Sequence, residues 1–316
     1  PPPPPPPPPP PFFPPPPPPP PIPLRLVGSE MCIRDRCLPA QCRSAHCQHA
    51  ALHRGEGGAQ LVQRLRNWAA AHPYIGAGLA VMAAAGANVI VSARNQDQLN
   101  HLVEELETLG NGSHQSLVMD LEDTDAISSK INRLLEQNPI HILINNAAGP
   151  PGGPLLDSTV EELTQPFGRH LHASHTLVQL LAPSMESEGY GRIIQIVSTS
   201  VREPIPNLGV SNTLRGAMAS WAKSLSRELA PCITINNVLP GFTNTGRLGS
   251  LASSIHQRTG KSIEDVHEGW MSQVPINRLI DPLETASAIT FLALPASGGL
   301  SLIHISEPTR RRGMGG

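Results

Sequence analysis

From residue 75 onward the chain alternates between short apolar runs and longer amphipathic stretches. NVIVSA (88–93), HQSLVMDL (114–121), HILINNA (141–147), RIIQIVS (192–198) and TINNVL (234–239) have strand length and are apolar almost throughout. Between them lie helix patterns. GLAVMAAAG (78–86) is a helix of small residues, QDQLNHLVEELETLG (96–110) is amphipathic and ends at Gly110, and DTDAISSKINRLLEQN (123–138) stops before Pro139. A long helix is predicted over 159–186, another over 212–229 ended by Pro231, and a last one over 284–294. Strands apolar on both faces, alternating with helices, predict a parallel sheet covered on each side. Right-handed crossovers then make residues 75–299 one doubly wound α/β domain.

The flanks have a different texture. Of 36 prolines, 20 fall in the first 23 residues, a run that favours polyproline II and has no core of its own. Leu300–Pro308 (LSLIHISEP) can be encoded by CTG TCT CTT ATA CAC ATC TCC GAG CCC. The complementary strand of that word, read one base out of phase, gives GSEMCIRD, which is residues 28–35. One short DNA word on opposite strands thus accounts for both ends, as a translated sequencing adapter would, and a poly-C tract accounts for the prolines. Residues 1–36 are therefore expected to be a non-native leader and 300–316 an adapter-like tail. Residues 37–74 stay unassigned and are expected to be disordered, apart from a possible short helix over 61–71.

Composition narrows the class. A net charge of −2 and 15% charged residues give no basic face for nucleic acid or a membrane surface. No apolar run approaches the length of a membrane span, and no secretory signal is visible, so the cytoplasm is the expected compartment. Cys32, Cys37, Cys42 and Cys47 recur every five residues near His46, His49 and His53. That spacing is wider than paired zinc ligands use, and His170, His172 and His175 share no helix face well, so no metal site is expected.

In a doubly wound sheet the ligand lies at the carboxyl ends of the strands. Those ends here carry Arg94, Asp120, Asn145-Asn146-Ala147-Ala148-Gly149, Ser198 and the run Pro240 to Thr245, PGFTNT. In this order NNAAG, RIIQIVS and PGxxxT resemble the short-chain dehydrogenase/reductase family, near its 3-oxoacyl-carrier-protein reductase branch, over about residues 75–299. The resemblance implies a Rossmann-type fold, a nicotinamide cofactor, a small carbonyl or acyl-thioester substrate and a homo-oligomer. It places Asp120 and Leu121 beside the adenine, Asn146 and Gly149 along the cofactor, and Pro240, Gly241, Thr243 and Thr245 near the nicotinamide and phosphates. Ala93 stands where an acid would accept the ribose 2′-hydroxyl, and Arg94 follows; a basic residue there pairs with the 2′-phosphate, so NADP is expected over NAD.

Two departures qualify the resemblance. The family opens with an apolar strand and a TGxxxGxG turn whose glycines admit the pyrophosphate. With its last glycine aligned on Gly76, Tyr74 and Ala70 take the other two places, and no first strand is visible over 59–73. A final strand should follow Pro295, where the tail begins. The first and last strands are thus expected to be missing. The family's Ser, Tyr and Lys, with an Asn on the long helix, become Ser198, Ser211, Arg215 and His170. A serine hydroxyl is a far poorer acid than a phenol, and arginine cannot shed a proton. Tyr190 precedes its strand and should sit at the far end of the sheet. His170, titrating near neutrality when unperturbed, is the remaining acid. Three readings follow: an NADP-dependent oxidoreductase with an altered donor set, a cofactor-binding relative without hydride chemistry, or a truncated product that does not fold.

Overall fold

A computed structural model describes residues 25–28, 31–35 and 75–302. Its strands are β1 (Arg25–Gly28), β2 (Met31–Asp35), β3 (Ala87–Ala93), β4 (Gln115–Val118), β5 (Ile142–Asn145), β6 (Gly191–Ile196) and β7 (Ile233–Val238). Its helices are α1 (Ile75–Ala84), α2 (Gln96–Glu107), α3 (Thr124–Gln137), α4 (Val160–Phe167), α5 (Ala173–Ser187), α6 (Gly209–Leu225), α7 (Gly246–Thr259), α8 (Ile263–Met271) and α9 (Pro282–Ala293). Among the described residues no helix is long and apolar enough to cross a membrane.

The sheet runs β4-β3-β1-β2-β5-β6-β7, and β3 with β4, β5 with β6, and β6 with β7 are parallel. Both faces are covered. Val89, Val91, Ile142, Ile144, Ile194 and Ile196 form a core with apolar residues of α1, α2 and α9. Ile90, Leu143, Ile193 and Ile235 point the other way, onto Ile127 and Ile131 of α3, Leu177 and Leu181 of α5 and Ala222 of α6. Burial on both sides explains why these strands read as unbroken apolar runs.

The sequence reading left the first-strand place empty and set residues 1–36 outside the domain. In the structure that place, between β3 and β5, is held by β1, parallel to both neighbours, with Val27 opposite Ile90 and Leu143. β2 is registered in the same place, antiparallel, with Cys32 opposite the same two residues. β1 and β2 also pair with each other, antiparallel, with Arg25 opposite Arg34. The physical reason for its filling is plain: β3 and β5 each present a buried row of N–H and C=O groups, and only an extended segment satisfies them. At the other edge Leu302 N donates to Ile235 O (3.0 Å) and Asn236 Nδ2 to Leu300 O (2.8 Å), so the first residues of the tail lie along β7. The proline run, residues 37–74 with their Cys and His cluster, and the tail beyond 302 lie outside the described residues.

Helix boundaries follow local chemistry. α1 ends at Ala84, two residues before the predicted stop, and Gly86 turns the chain at φ 95°. A Cβ on Gly110 would stand 2.0 Å from Ala83 O, so the α2–β4 loop needs glycine to cross the end of α1. Asn95, Asp123, Thr159, Ser262 and Asp281 cap their helices through side-chain oxygens. The helix predicted over 159–186 is interrupted: α4 and α5 are joined by a π-turn over Gly168–His172. Pro166 lacks an N–H and Gly168 resists helix, so the regular ladder loosens there.

Candidate active site at the strand tips

α1 runs back into β3 through a two-residue turn, so its first turn lies at the carboxyl end of the sheet. Gly76 is buried in that turn. Ala70 and Tyr74 lie outside the described residues. At the end of β3 Ala93 is half-buried and Arg94 is exposed. Beyond β4 Asp120 is exposed, and one of its carboxylate oxygens accepts from Glu122 N at 3.0 Å, which shapes the turn. Leu121 is buried in the core against α3. Asn146 and Gly149 are half-buried at the β5 tip.

Beyond β7 come Pro240 and Gly241. Thr243 is buried, its hydroxyl directed to Gly241 O (3.4 Å), and its segment bridges to Ile280. Thr245 caps α7 by accepting from Leu248 N at 3.3 Å, and its hydroxyl proton remains available to donate. After Thr245 the chain forms a two-helix unit, α7 and α8. Its small core stacks Phe242 on Trp270 (centroids 5.5 Å, 16°) and His267 on Trp270 (5.4 Å).

The four candidate catalytic residues lie on α6, on the π-turn and just past the end of β6. Ser198 is half-buried and its Oγ accepts from Ser200 N at 3.1 Å, capping a short turn. Ser211 and Arg215 lie one turn apart on α6, as the spacing predicted. Arg215 is buried and reaches across two strand ends: Nη1 donates to Ile196 O (2.9 Å) and Nη2 to Ala147 O (3.2 Å). His170, on the π-turn, sets Nε2 3.0 Å from Ala148 O. Burial pushes its pKa down to about 3, and the positive charges of Arg215 and then Arg169 push the same way. The ring is neutral at ordinary pH, and Nε2–H donates to the carbonyl. This corrects the sequence expectation that His170 serves as an acid titrating near neutrality: desolvation removes the imidazolium. Tyr190 does lie at the opposite end of the sheet, buried, its hydroxyl donating to Ala293 O at 2.8 Å.

Sequence reasoning missed two features. The carbonyls of Ala147, Ala148 and Ile196 organise the buried cation and imidazole, and backbone groups leave no trace in residue identity. Arg169 also pairs with Glu122, tying the loop after β4 to the π-turn that carries His170. A cleft of about 570 Å³ opens between Leu155, the 200–207 loop and the start of α6. Gly209, Asn212, Thr213 and Gly216 of α6 line it, offset from the Ser211–Arg215 face.

The residues at the tips fit a dinucleotide. A helix start with a buried glycine suits phosphate, an exposed arginine follows a small residue where the ribose would lie, and a threonine hydroxyl can donate from the β7 side. Fold and site together define the class of NAD(P)-dependent oxidoreductases built on a Rossmann-type sheet. The family model described as Enoyl-(Acyl carrier protein) reductase matches residues 69–304, and the chain belongs to that family, within the short-chain dehydrogenases/reductases. It is similar to 7alpha-hydroxysteroid dehydrogenase of Escherichia coli, 28% identical over 69% of this chain and 82% of the relative. It is also similar to the 3-oxoacyl-[acyl-carrier-protein] reductase MabA of Mycobacterium avium, 29% identical over 58% of this chain and 73% of MabA. The solved structure of YwfH, an NADPH-dependent reductase involved in bacilysin biosynthesis, superposes with a TM-score of 0.68 at 23% identity, covering 73% of this chain and 90% of that one.

Proposed function

We propose that the chain is an NADPH-preferring oxidoreductase acting on a small carbonyl substrate of the 3-oxoacyl-thioester class, with an altered and slower donor set. The cofactor, when bound, supplies hydride to the carbonyl carbon. Every other contribution belongs to the chain. Arg94 pairs with the 2′-phosphate, and the first turn of α1 and Thr245 hold phosphate. Negative charge growing on the substrate oxygen meets the hydroxyls of Ser198 and Ser211 and the fixed positive charge of Arg215. The proton that finally reaches that oxygen passes from water through the Ser211 hydroxyl, because His170 is neutral and Tyr190 is remote.

What supports this reading is Arg215 drawn onto the ends of β5 and β6, one turn after Ser211 on α6. A second reading, cofactor binding without hydride transfer, is favoured by the burial that keeps the His170 imidazole neutral. One experiment separates them: NADPH oxidation with short 3-oxoacyl thioesters, beside NADPH binding by fluorescence. Slow saturable turnover supports the first reading, and binding without turnover supports the second. Absence of both overturns each.

A further inference from the structure

Beneath the strand tips lies a row of amides that the site does not use. Asn145 of β5 is opposite Gln195 of β6, and Gln195 is opposite Asn237 of β7. Strand alternation places all three on the face of Leu143, Ile193 and Ile235, one side-chain layer nearer the tips. Asn145 is 3% exposed and Gln195 is 0% exposed. Both amide atoms of each, and Oδ1 of Asn237, are buried and make no hydrogen bond within the protein. Each primary amide carries two donor hydrogens and an acceptor oxygen, and buried groups of this kind are satisfied in native proteins either by protein or by ordered water.

We propose that Asn145, Gln195 and Asn237 form a binding site for a string of ordered water molecules. The row adjoins the catalytic layer: Gln195 immediately precedes Ile196 and Asn145 stands two residues before Ala147, the two carbonyls that hold Arg215. The waters connect the buried amides of Asn145 and Gln195 to the half-buried Asn237. The rival arrangement is an amide ladder, in which neighbouring side chains rotate to donate directly to each other across the inter-strand spacing.

Oxygen-17 relaxation dispersion on the full chain counts long-lived internal waters. Gln195→Leu, similar in size but without polar atoms, is expected to lose at least one such water relative to the parent. An unchanged dispersion amplitude in a folded Gln195→Leu overturns the proposal. Where that variant does not fold, the parent chain decides: cross-relaxation from bound water to the Gln195 Nε2 protons supports the site. Direct side-chain contact between Gln195 and Asn145 without a water signal overturns it in favour of the ladder.

Discussion

Arg215 donates from Nη1 to the main-chain carbonyl of Ile196 at 2.9 Å, and from the other end of the same fork to Ala147, so one side chain clamps the ends of two strands to α6. Lysine, a point charge on a flexible stem, cannot span both carbonyls. Arg215→Lys is therefore expected to lower unfolding stability by about 1–3 kcal/mol, the cost of leaving a buried acceptor unsatisfied. Arg215→Met also removes the charge that disfavours a second positive charge at His170, so the His170 pKa should rise. Urea unfolding and an NMR titration of the imidazole check the two effects.

The doubly wound fold was readable from residues 88 onward because the strands are buried on both faces and their apolar runs are continuous. The tips were readable too, since Arg94, Ser198, Ser211 and Arg215 fall where the strand and helix patterns place them. What could not be read was anything set by the environment of a side chain. His170 looks like an ordinary imidazole in the sequence, and only its burial beside Arg215 makes it neutral. The π-turn was hidden because Pro166 and Gly168 signal a break in a helix but not its geometry. The occupant of the first-strand place was hidden for the opposite reason: RLVG is too short to show any period.

Arg94 stands exposed at the β3 tip, where its charge is screened by solvent. Arg94→Ala is expected to weaken NADPH binding by about tenfold, near 1.4 kcal/mol, and to leave NADH binding unchanged. Fluorescence titration with both cofactors measures the ratio. Equal loss for the two would remove Arg94 from 2′-phosphate recognition.

Two buried histidines make stability depend on acid. His114 Nδ1 accepts from Val89 N at 3.2 Å, and burial lowers the His114 pKa to about 4; His170 is lowered to about 3. Both are neutral in the folded chain, while the unfolded chain takes up protons at about 6.5. Their contribution is fully present above pH 6.5, is lost as pH falls through 6.5 toward 4 and 3, and changes no further below those values. The melting temperature should fall steadily between pH 6.5 and 4 at constant ionic strength. His114→Asn keeps an acceptor for Val89 N without a titrating ring, and should melt with a shallower pH slope than the parent.

Ser211 is the position at which a better acid should act. A phenol there, one turn before Arg215, would place a proton donor of pKa near 10 beside a fixed positive charge that lowers it. Ser211→Tyr is expected to raise kcat for carbonyl reduction by about 10²-fold, the lower end of general-acid gains. NADPH affinity should stay within about twofold, since the cofactor contacts are elsewhere. Stopped-flow NADPH oxidation under single-turnover conditions isolates the chemical step. A rate unchanged from the parent would mean that proton donation does not limit the reaction.

The place between β3 and β5 gives the last test. Those strands are the centre of the sheet, and each offers its backbone groups to a gap that only β1 or β2 fills among the described residues. Parallel pairing in this gap asks for an extended segment and not for a particular sequence. Deleting residues 1–36 empties the gap and strands several buried N–H and C=O groups, each costing about 1–3 kcal/mol unless water enters. Summed over several groups, this is comparable to the usual margin of about 5–15 kcal/mol. The truncated chain is therefore expected to lose its cooperative thermal transition while the full chain keeps one, followed by far- and near-ultraviolet circular dichroism. Equal, sharp melts for both would show that the gap closes without the leader. A full chain that melts without cooperativity would favour the reading of a truncated product that does not fold.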